Sequence, residues 1–206
     1  MSASDYGFIH EDEAIDYVLQ NHYEQIEEHI LENRLDITRV WAMPNKNTFT
    51  IKPIKKLMEE ETNIKELGVD AFAGDNGYKY SKFTNDLNPK KNALICGEAL
   101  DFLKGFMDNI VDYAVYDPPF SPRQLKECYD NIDKKMGSET YRMSTWASWK
   151  NEIARIVRPN GKVISFGWCS GGMGKKRGFT LQRILLVPHG SEHNDTICVV
   201  ETKNEI

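Results

Sequence analysis

The sequence predicts an α/β protein, with a mostly parallel sheet, crossover helices, a closing C-terminal antiparallel hairpin and an N-terminal helical extension. Three observations carry this. From Leu67 onward, short apolar runs alternate with stretches of helical spacing, the texture of parallel strands joined by crossover helices. The last two apolar runs, Leu181–Val187 and Thr196–Glu201, are joined by the polar turn Pro188–Asp195 and read as a hairpin. Before Leu67 the apolar residues recur near the helical period instead. The chain therefore divides into a helical extension, residues 1–64, and an α/β domain, residues 65–206.

In order along the chain, the first helix is expected over about Glu11–Asn33, where Ile15, Val18, Leu19, Tyr23, Ile26, Ile30 and Leu31 form a stripe. A second runs from Ile54 to Glu60 behind Pro53, since proline suits a first helical turn, where its missing N–H would go unpaired anyway. Thr38–Asn47 between them is a mixed loop that periodicity leaves unexplained. Strands are expected at Gly68–Phe72, Phe83–Asn85, Ala93–Ile95, Tyr113–Tyr116 and Lys162–Phe166. Helices are expected at Glu98–Phe106, Arg123–Asn131 and Thr140–Val157.

A chain of 206 residues, 40% of them hydrophobic, buries one good core, which fits one domain with an appendage. No run approaches the roughly 18 apolar residues of a membrane span, and MSASDYGFIHEDE has neither the basic nor the apolar segment of a signal peptide. A cytoplasmic protein is expected. Cys96, Cys128, Cys169 and Cys198 show no CxxC pairing, so reduced, mostly buried thiols are expected and neither zinc nor any other metal site is indicated. A net charge of −5 suits nucleic-acid binding poorly, but the charge is unevenly spread. Acid concentrates in the first third (Glu11–Glu13, Glu27-Glu28, Glu59–Glu61), whereas Lys134-Lys135 and Lys175–Arg177 fall later.

The strongest chemical signal is the apolar run Val111–Tyr116 ending in Asp117-Pro118-Pro119-Phe120. Ligands of an open parallel sheet bind beyond the carboxyl ends of its strands, so these four residues stand at the mouth of a site. An aromatic amino nitrogen shares its lone pair with its ring and is a poor nucleophile. A carboxylate and a backbone carbonyl that accept its two hydrogens favour the tetrahedral form that can attack a methyl sulfonium. Asp117 and the Pro118 carbonyl supply those acceptors, Pro118 and Pro119 stiffen the loop, and Phe120 can stack on a flipped base. The plainer reading is a strand exit into a turn, where Asp and Pro are common.

Asp117–Phe120 resembles the fourth motif of the S-adenosylmethionine-dependent amino-methyltransferases, the adenine and cytosine amino-group DNA methylases, and in particular their small phage and prophage members. The resemblance covers roughly Leu67–Lys203 and implies a Rossmann-like methyltransferase sheet with S-adenosylmethionine as methyl donor and S-adenosylhomocysteine as product. Ile95–Leu103 resembles the preceding motif, which implies that Glu98 and Ala99 meet the cofactor's adenine ring. Asp70, Phe72, Ala73 and Gly74 resemble the acid, aromatic and glycine beside the methionine moiety, although the glycine pattern is thinner and Asp75–Lys82 is short for the helix that follows in the family. Asn85, Asp86 and Leu87 resemble the end of the second strand, where the acid takes the ribose hydroxyls; an Asx turn before Pro89 is the alternative. Ile156–Phe166 resembles the helix-turn-strand that follows the catalytic motif.

The resemblance implies a DNA adenine methyltransferase, with specificity drawn from Ser121–Ser144 and the N-terminal region, because no insertion is long enough for a target-recognition domain. Lys175, Lys176 and Arg177 in the glycine-rich segment Gly167–Gly178, together with Arg123, are candidates for gripping phosphates, with a solvated charged loop as the alternative. Trp41–Phe49 either completes the pocket or ties the N-terminal helices to the sheet, the second being preferred. His189 and His193 read as hairpin caps rather than as a base. The acidic N-terminal helices suit a homodimer or a partner subunit. Two rivals stay open: an RNA adenine or guanine amino-methyltransferase, and a catalytically silent subunit that binds cofactor or nucleic acid.

Overall fold

The computed structural model describes residues 17–20, 22–23, 35–137, 144–190 and 192–205. The chain divides into two compact units, Met1–Leu35 and Asp36–Ile206. In the first, residues 17–20 and 22–23 are helical, with Tyr17, Val18, Leu19 and Tyr23 exposed, and the rest of the helix expected over Glu11–Asn33 lies outside the described residues.

The second unit holds β1 (Asp36–Arg39), α1 (Lys52–Glu61), β2 (Gly68–Asp70), β3 (Phe83–Asp86), β4 (Ile95–Cys96), α2 (Ala99–Lys104), β5 (Val111–Tyr116), α3 (Pro122–Asp130), α4 (Ser144–Ile156), β6 (Val157–Gly167), β7 (Phe179–Val187) and β8 (Thr196–Lys203). Its strands form one eight-stranded sheet in the order β1-β7-β8-β6-β5-β2-β3-β4. Within it β8 alone runs against its neighbours, pairing antiparallel with β6 and β7. The fold is the expected one: a mostly parallel, Rossmann-like sheet with a C-terminal antiparallel hairpin.

Alternating side chains serve the two faces of the sheet. From β5, Tyr113 and Val115 enter one core with Ile54, Leu57 and Met58 of α1, while Ala114 and Tyr116 enter the other with Trp149, Ile153 and Ile156 of α4. Each fully buried aliphatic chain contributes roughly 1.5–3 kcal/mol. Helix α1 starts with Pro53 in its first turn, and α3 is capped by Ser121, whose hydroxyl accepts the Gln124 N–H at 3.2 Å, with Pro122 behind it.

Three details depart from the sequence reading. The segment read as a loop from Thr38 begins inside a strand: β1 pairs parallel with β7, and Val40 N–H and Ala42 N–H extend the pairing onto the Leu186 and Pro188 carbonyls at 2.9 and 3.2 Å. A short, polar edge strand whose partner lies far along the chain leaves no periodic trace. Strand β6 starts earlier than Lys162. Val157 pairs with Val111, and the register then shifts through Asn160, at φ 61°, before Lys162 pairs with Tyr113. The thiols, expected mostly buried, are exposed at Cys96, Cys128 and Cys169; only Cys198, on a central strand, is buried. Cys96 lies on the outermost strand and Cys169 on a loop, positions that composition does not reveal. No helix among the described residues is long and apolar enough to cross a membrane.

Candidate active site

The chain passes from β2 to β3 on one side and returns to place β5 on the other, so the sheet has its topological switch point between the carboxyl ends of β2 and β5. A cavity of about 430 Å³ opens there. It brings together ten of the residues singled out in the sequence: Phe72 after β2; Asn85, Asp86 and Leu87 at the end of β3; Glu98 and Ala99 at the start of α2; and all four of Asp117–Phe120.

Polar side chains fix the rim. Asn85 is fully buried and its amide donates to the Ala71 and Gly97 carbonyls at 3.2 and 3.0 Å, which ties together the exits of β2, β3 and β4. Asp86 accepts Asn88 N–H at 2.8 Å on one oxygen, the Asx turn, and Gly74 N–H at 2.9 Å on the other. Glu98 accepts the Tyr129 hydroxyl and the Lys134 ammonium, both at 2.6 Å. Lys91, also on the wall, pairs with Asp75 at 2.8 Å.

Asp70, Ala73 and Gly74 do not line the cavity. Asp70 lies fully buried beneath it, with one oxygen accepting Phe72 N–H at 2.9 Å and the other without a hydrogen-bond partner. A Cβ at Gly77 would stand 2.7 Å from that free oxygen, so glycine keeps the space beside it open. Burial, and then the Asp117 and Asp86 carboxylates, hold the Asp70 carboxyl well above its ordinary range, against the pull of Phe72 N–H. Where a full helix would follow Gly74, only the short turn Gly77–Lys79 forms.

The Asp117–Phe120 loop is held from three directions. The Phe120 N–H donates to Gln124 Oε1 at 2.6 Å, and the Trp146 indole N–H donates to the Pro119 carbonyl at 2.8 Å. Burial pushes Asp117 up to about 7, and a hydrogen bond from the Thr48 hydroxyl opposes that rise. Phe120 meets the half-exposed Trp168 edge-on, centroids 5.7 Å apart, and Phe72 packs on Trp149 at 4.9 Å.

Gln124, Tyr129 and Trp146 are among the residues that sequence reading missed, and Thr48 entered it only as part of the Trp41–Phe49 segment. Thr48 arrives because the chain leaves β1 and runs along the carboxyl edge of the sheet. His189 fastens that run, Nδ1 to the Ala42 carbonyl at 2.8 Å and Nε2 to the Thr196 hydroxyl at 2.9 Å, before Phe49 plugs against Phe166 and Tyr80. Thr48 of the Trp41–Phe49 segment thus lines the pocket.

The candidate phosphate-gripping residues lie away from the cavity wall. Arg123 is exposed and paired with Glu127 at 2.9 Å. In the glycine-rich segment, the Met173 and Gly174 amides donate to the buried Glu201 carboxylate, and a Cβ at Gly172 would stand 2.1 Å from its oxygen. Arg177 donates to Asn151 Oδ1 at 2.9 Å and to the Met173 carbonyl at 3.1 Å. Lys175 and Lys176 are exposed and carry no ion pair among the described residues.

No protein-family model and no curated protein matches this sequence. Solved structures match in fold. TrmN from Thermus thermophilus aligns over 74% of this chain and 49% of its own, with a TM-score of 0.50 at 14% identity. SMU.776 complexed with SAH aligns over 73% of this chain and 48% of its own, at a TM-score of 0.48 and 12% identity. M. jannaschii TYW2 in complex with AdoMet aligns over 78% and 76%, at 0.43 and 13%. The likeness to TrmN shows the fold. The chain spans about half the length of TrmN and of SMU.776.

Proposed function

We propose that this protein transfers a methyl group from S-adenosylmethionine to the exocyclic amino group of adenine in DNA. The observation that carries the reading is Asp117 beside Pro118 at the exit of β5, on the wall of the switch-point cavity. An amino group there gives one hydrogen to the Asp117 carboxylate and the other to the Pro118 carbonyl, which localises the nitrogen lone pair. When bound, S-adenosylmethionine would supply an electrophilic methyl carbon to that nitrogen and would leave as the neutral thioether S-adenosylhomocysteine. Asp117, held near neutrality, is suited to take the proton that the nitrogen then sheds.

The cofactor fits the donor set. Asp86 and Asp117 place two carboxyls on the cavity wall, with Asp70 buried beneath it, which suits a ligand carrying a sulfonium and an ammonium. Asp86 would hold the ribose hydroxyls and Glu98 the purine edge, with Phe72 as an apolar wall. Phe120, with Trp168 against its edge, supplies a stacking surface for a base, worth roughly 1–3 kcal/mol.

Radiolabelled S-adenosylmethionine is incubated with unmethylated genomic DNA and either native protein or Asp117→Ala, and the product nucleosides are identified by mass spectrometry. N6-methyladenine formed by the native protein and absent with Asp117→Ala is expected. Cofactor binding with transfer only to RNA, or with no transfer at all, rejects the DNA assignment.

A further inference from the structure

We infer that Trp146 and Gln124 are positioning residues that clamp the Asp117–Phe120 loop so that the Pro118 carbonyl remains its free backbone acceptor beside Asp117. The inference rests on the amino-group chemistry proposed above.

The loop has few backbone polar groups. Pro118 and Pro119 have no N–H, so Phe120 offers the first amide donor after Asp117. That donor is taken by Gln124 Oε1 at 2.6 Å. The Pro119 carbonyl is taken by the Trp146 indole N–H at 2.8 Å. No described residue donates to the Pro118 carbonyl, and Pro118 lies on the cavity wall. Two fixed ends and two locked proline φ angles leave the middle peptide little freedom to turn its carbonyl away.

Both anchors are themselves fixed. Gln124 belongs to the first turn of α3, where its own N–H caps onto Ser121. Trp146 belongs to the first turn of α4 and packs on Trp149 at 5.7 Å, and Trp149 packs on Phe72 at 4.9 Å. The clamp therefore runs from two helices on to the exit of the catalytic strand, where a misplacement of about 1 Å costs on the order of 100-fold in rate. Neither residue supplies a proton or a charge to the reaction.

Trp146→Phe keeps the ring and deletes the donor; Gln124→Met keeps the length and deletes the acceptor. In the transfer assay each is expected to lower kcat per folded molecule by about 10- to 100-fold, with the KM for S-adenosylmethionine unchanged. In the cofactor-free protein, Trp146→Phe is expected to speed amide exchange at Phe120 about tenfold, because the loop opens more often. That readout needs no acceptor. Native kcat in both variants, a loss confined to KM, or unchanged exchange at Phe120 overturns the clamp. Asp117→Ala in the same assay separates the two ideas: if it transfers methyl at the native rate, the amino-group chemistry fails, whatever the clamp does.

Discussion

Strands β5 and β6 are parallel neighbours, and their exits lie at the same edge of the sheet, yet the two loops end in opposite states. Past β5, Asp117 and Pro118 line a cavity; among the described residues the Asp117 carboxyl is met by the Thr48 hydroxyl alone and none donates to the Pro118 carbonyl, and burial holds Asp117 far above its ordinary pKa. Past β6, the glycine-rich loop has the amide-lined form that binds anions, but its Met173 and Gly174 amides already hold Glu201. Lys150 adds a hydrogen bond to the Gly172 carbonyl, and Arg177 closes back on the Met173 carbonyl. One loop leaves the Pro118 carbonyl without a described donor and holds a buried carboxyl at a raised pKa; the other turns its amides onto a carboxylate of its own sheet. Sequence motifs look alike in the two cases, and only the partners tell them apart.

The sharpest way to break this contrast is at Asp117. Asp117→Asn retains the shape and removes the carboxylate, so transfer is expected to fall about 10²–10⁴-fold while S-adenosylhomocysteine binding, measured by calorimetry, persists. A drop of less than tenfold would mean that the loop after β5 is not where the proton is handled. On the other loop the loss should appear in stability instead. Glu201→Ala leaves two amide donors without their acceptor, and urea unfolding should show a loss of about 2–4 kcal/mol, with an unchanged rate per folded molecule. A variant as stable as the native protein would remove the scaffold assignment.

What was legible in the sequence follows the same division. Asp117–Phe120 could be read because an apolar run and its exit are contiguous, whereas the β3 and α2 residues were singled out only through the resemblance to the amino-methyltransferases. Thr48, Gln124 and Trp146 could not. Their roles depend on β1 pairing with β7 and on α4 starting beside the β5 exit, contacts between segments distant in the chain. Glu201 was equally hidden: it reads as the last residue of an apolar run, and nothing local says that its carboxylate turns inward to a loop that closes around it. Local chemistry singled out candidate groups, and tertiary pairing decided which of them already have partners.

Titration gives a smaller effect with a definite sign. Asp117 must be ionised to accept an amino hydrogen, so the rate should rise tenfold per pH unit up to a midpoint near pH 7 and then level. Thr48→Val removes the opposing hydrogen bond and should move that limb to higher pH. Stability runs the other way. A carboxyl whose folded pKa is raised favours the folded state at low pH, and that advantage is lost as pH climbs from its unfolded value of 3.8 to about 7. Asp117→Asn should therefore gain Tm over the native protein across that window, with the full gain at pH 8 and little at pH 4. An equal difference at both pH values would show that Asp117 is not held away from water.

The smallest effect concerns nucleic-acid affinity and tests how much of the loop after β6 remains available to a ligand. Other basic groups are already engaged: Lys91 on the cavity wall with Asp75, Lys134 with Glu98, and Arg123, away from the wall, with Glu127. Arg177 is likewise held by the protein. That leaves Lys175 and Lys176 as the exposed cations of the loop. Each phosphate contact contributes about one unit to the slope of log affinity against log salt. Native binding to DNA should thus show a shallow slope, and the double variant Lys175→Ala, Lys176→Ala should flatten it by about 2. Arg177→Ala should change the slope least and the stability most of the three. If Arg177→Ala instead flattens the slope as each lysine does, its bonds to Asn151 and Met173 must open on binding, and the loop after β6 is as much a site as the loop after β5.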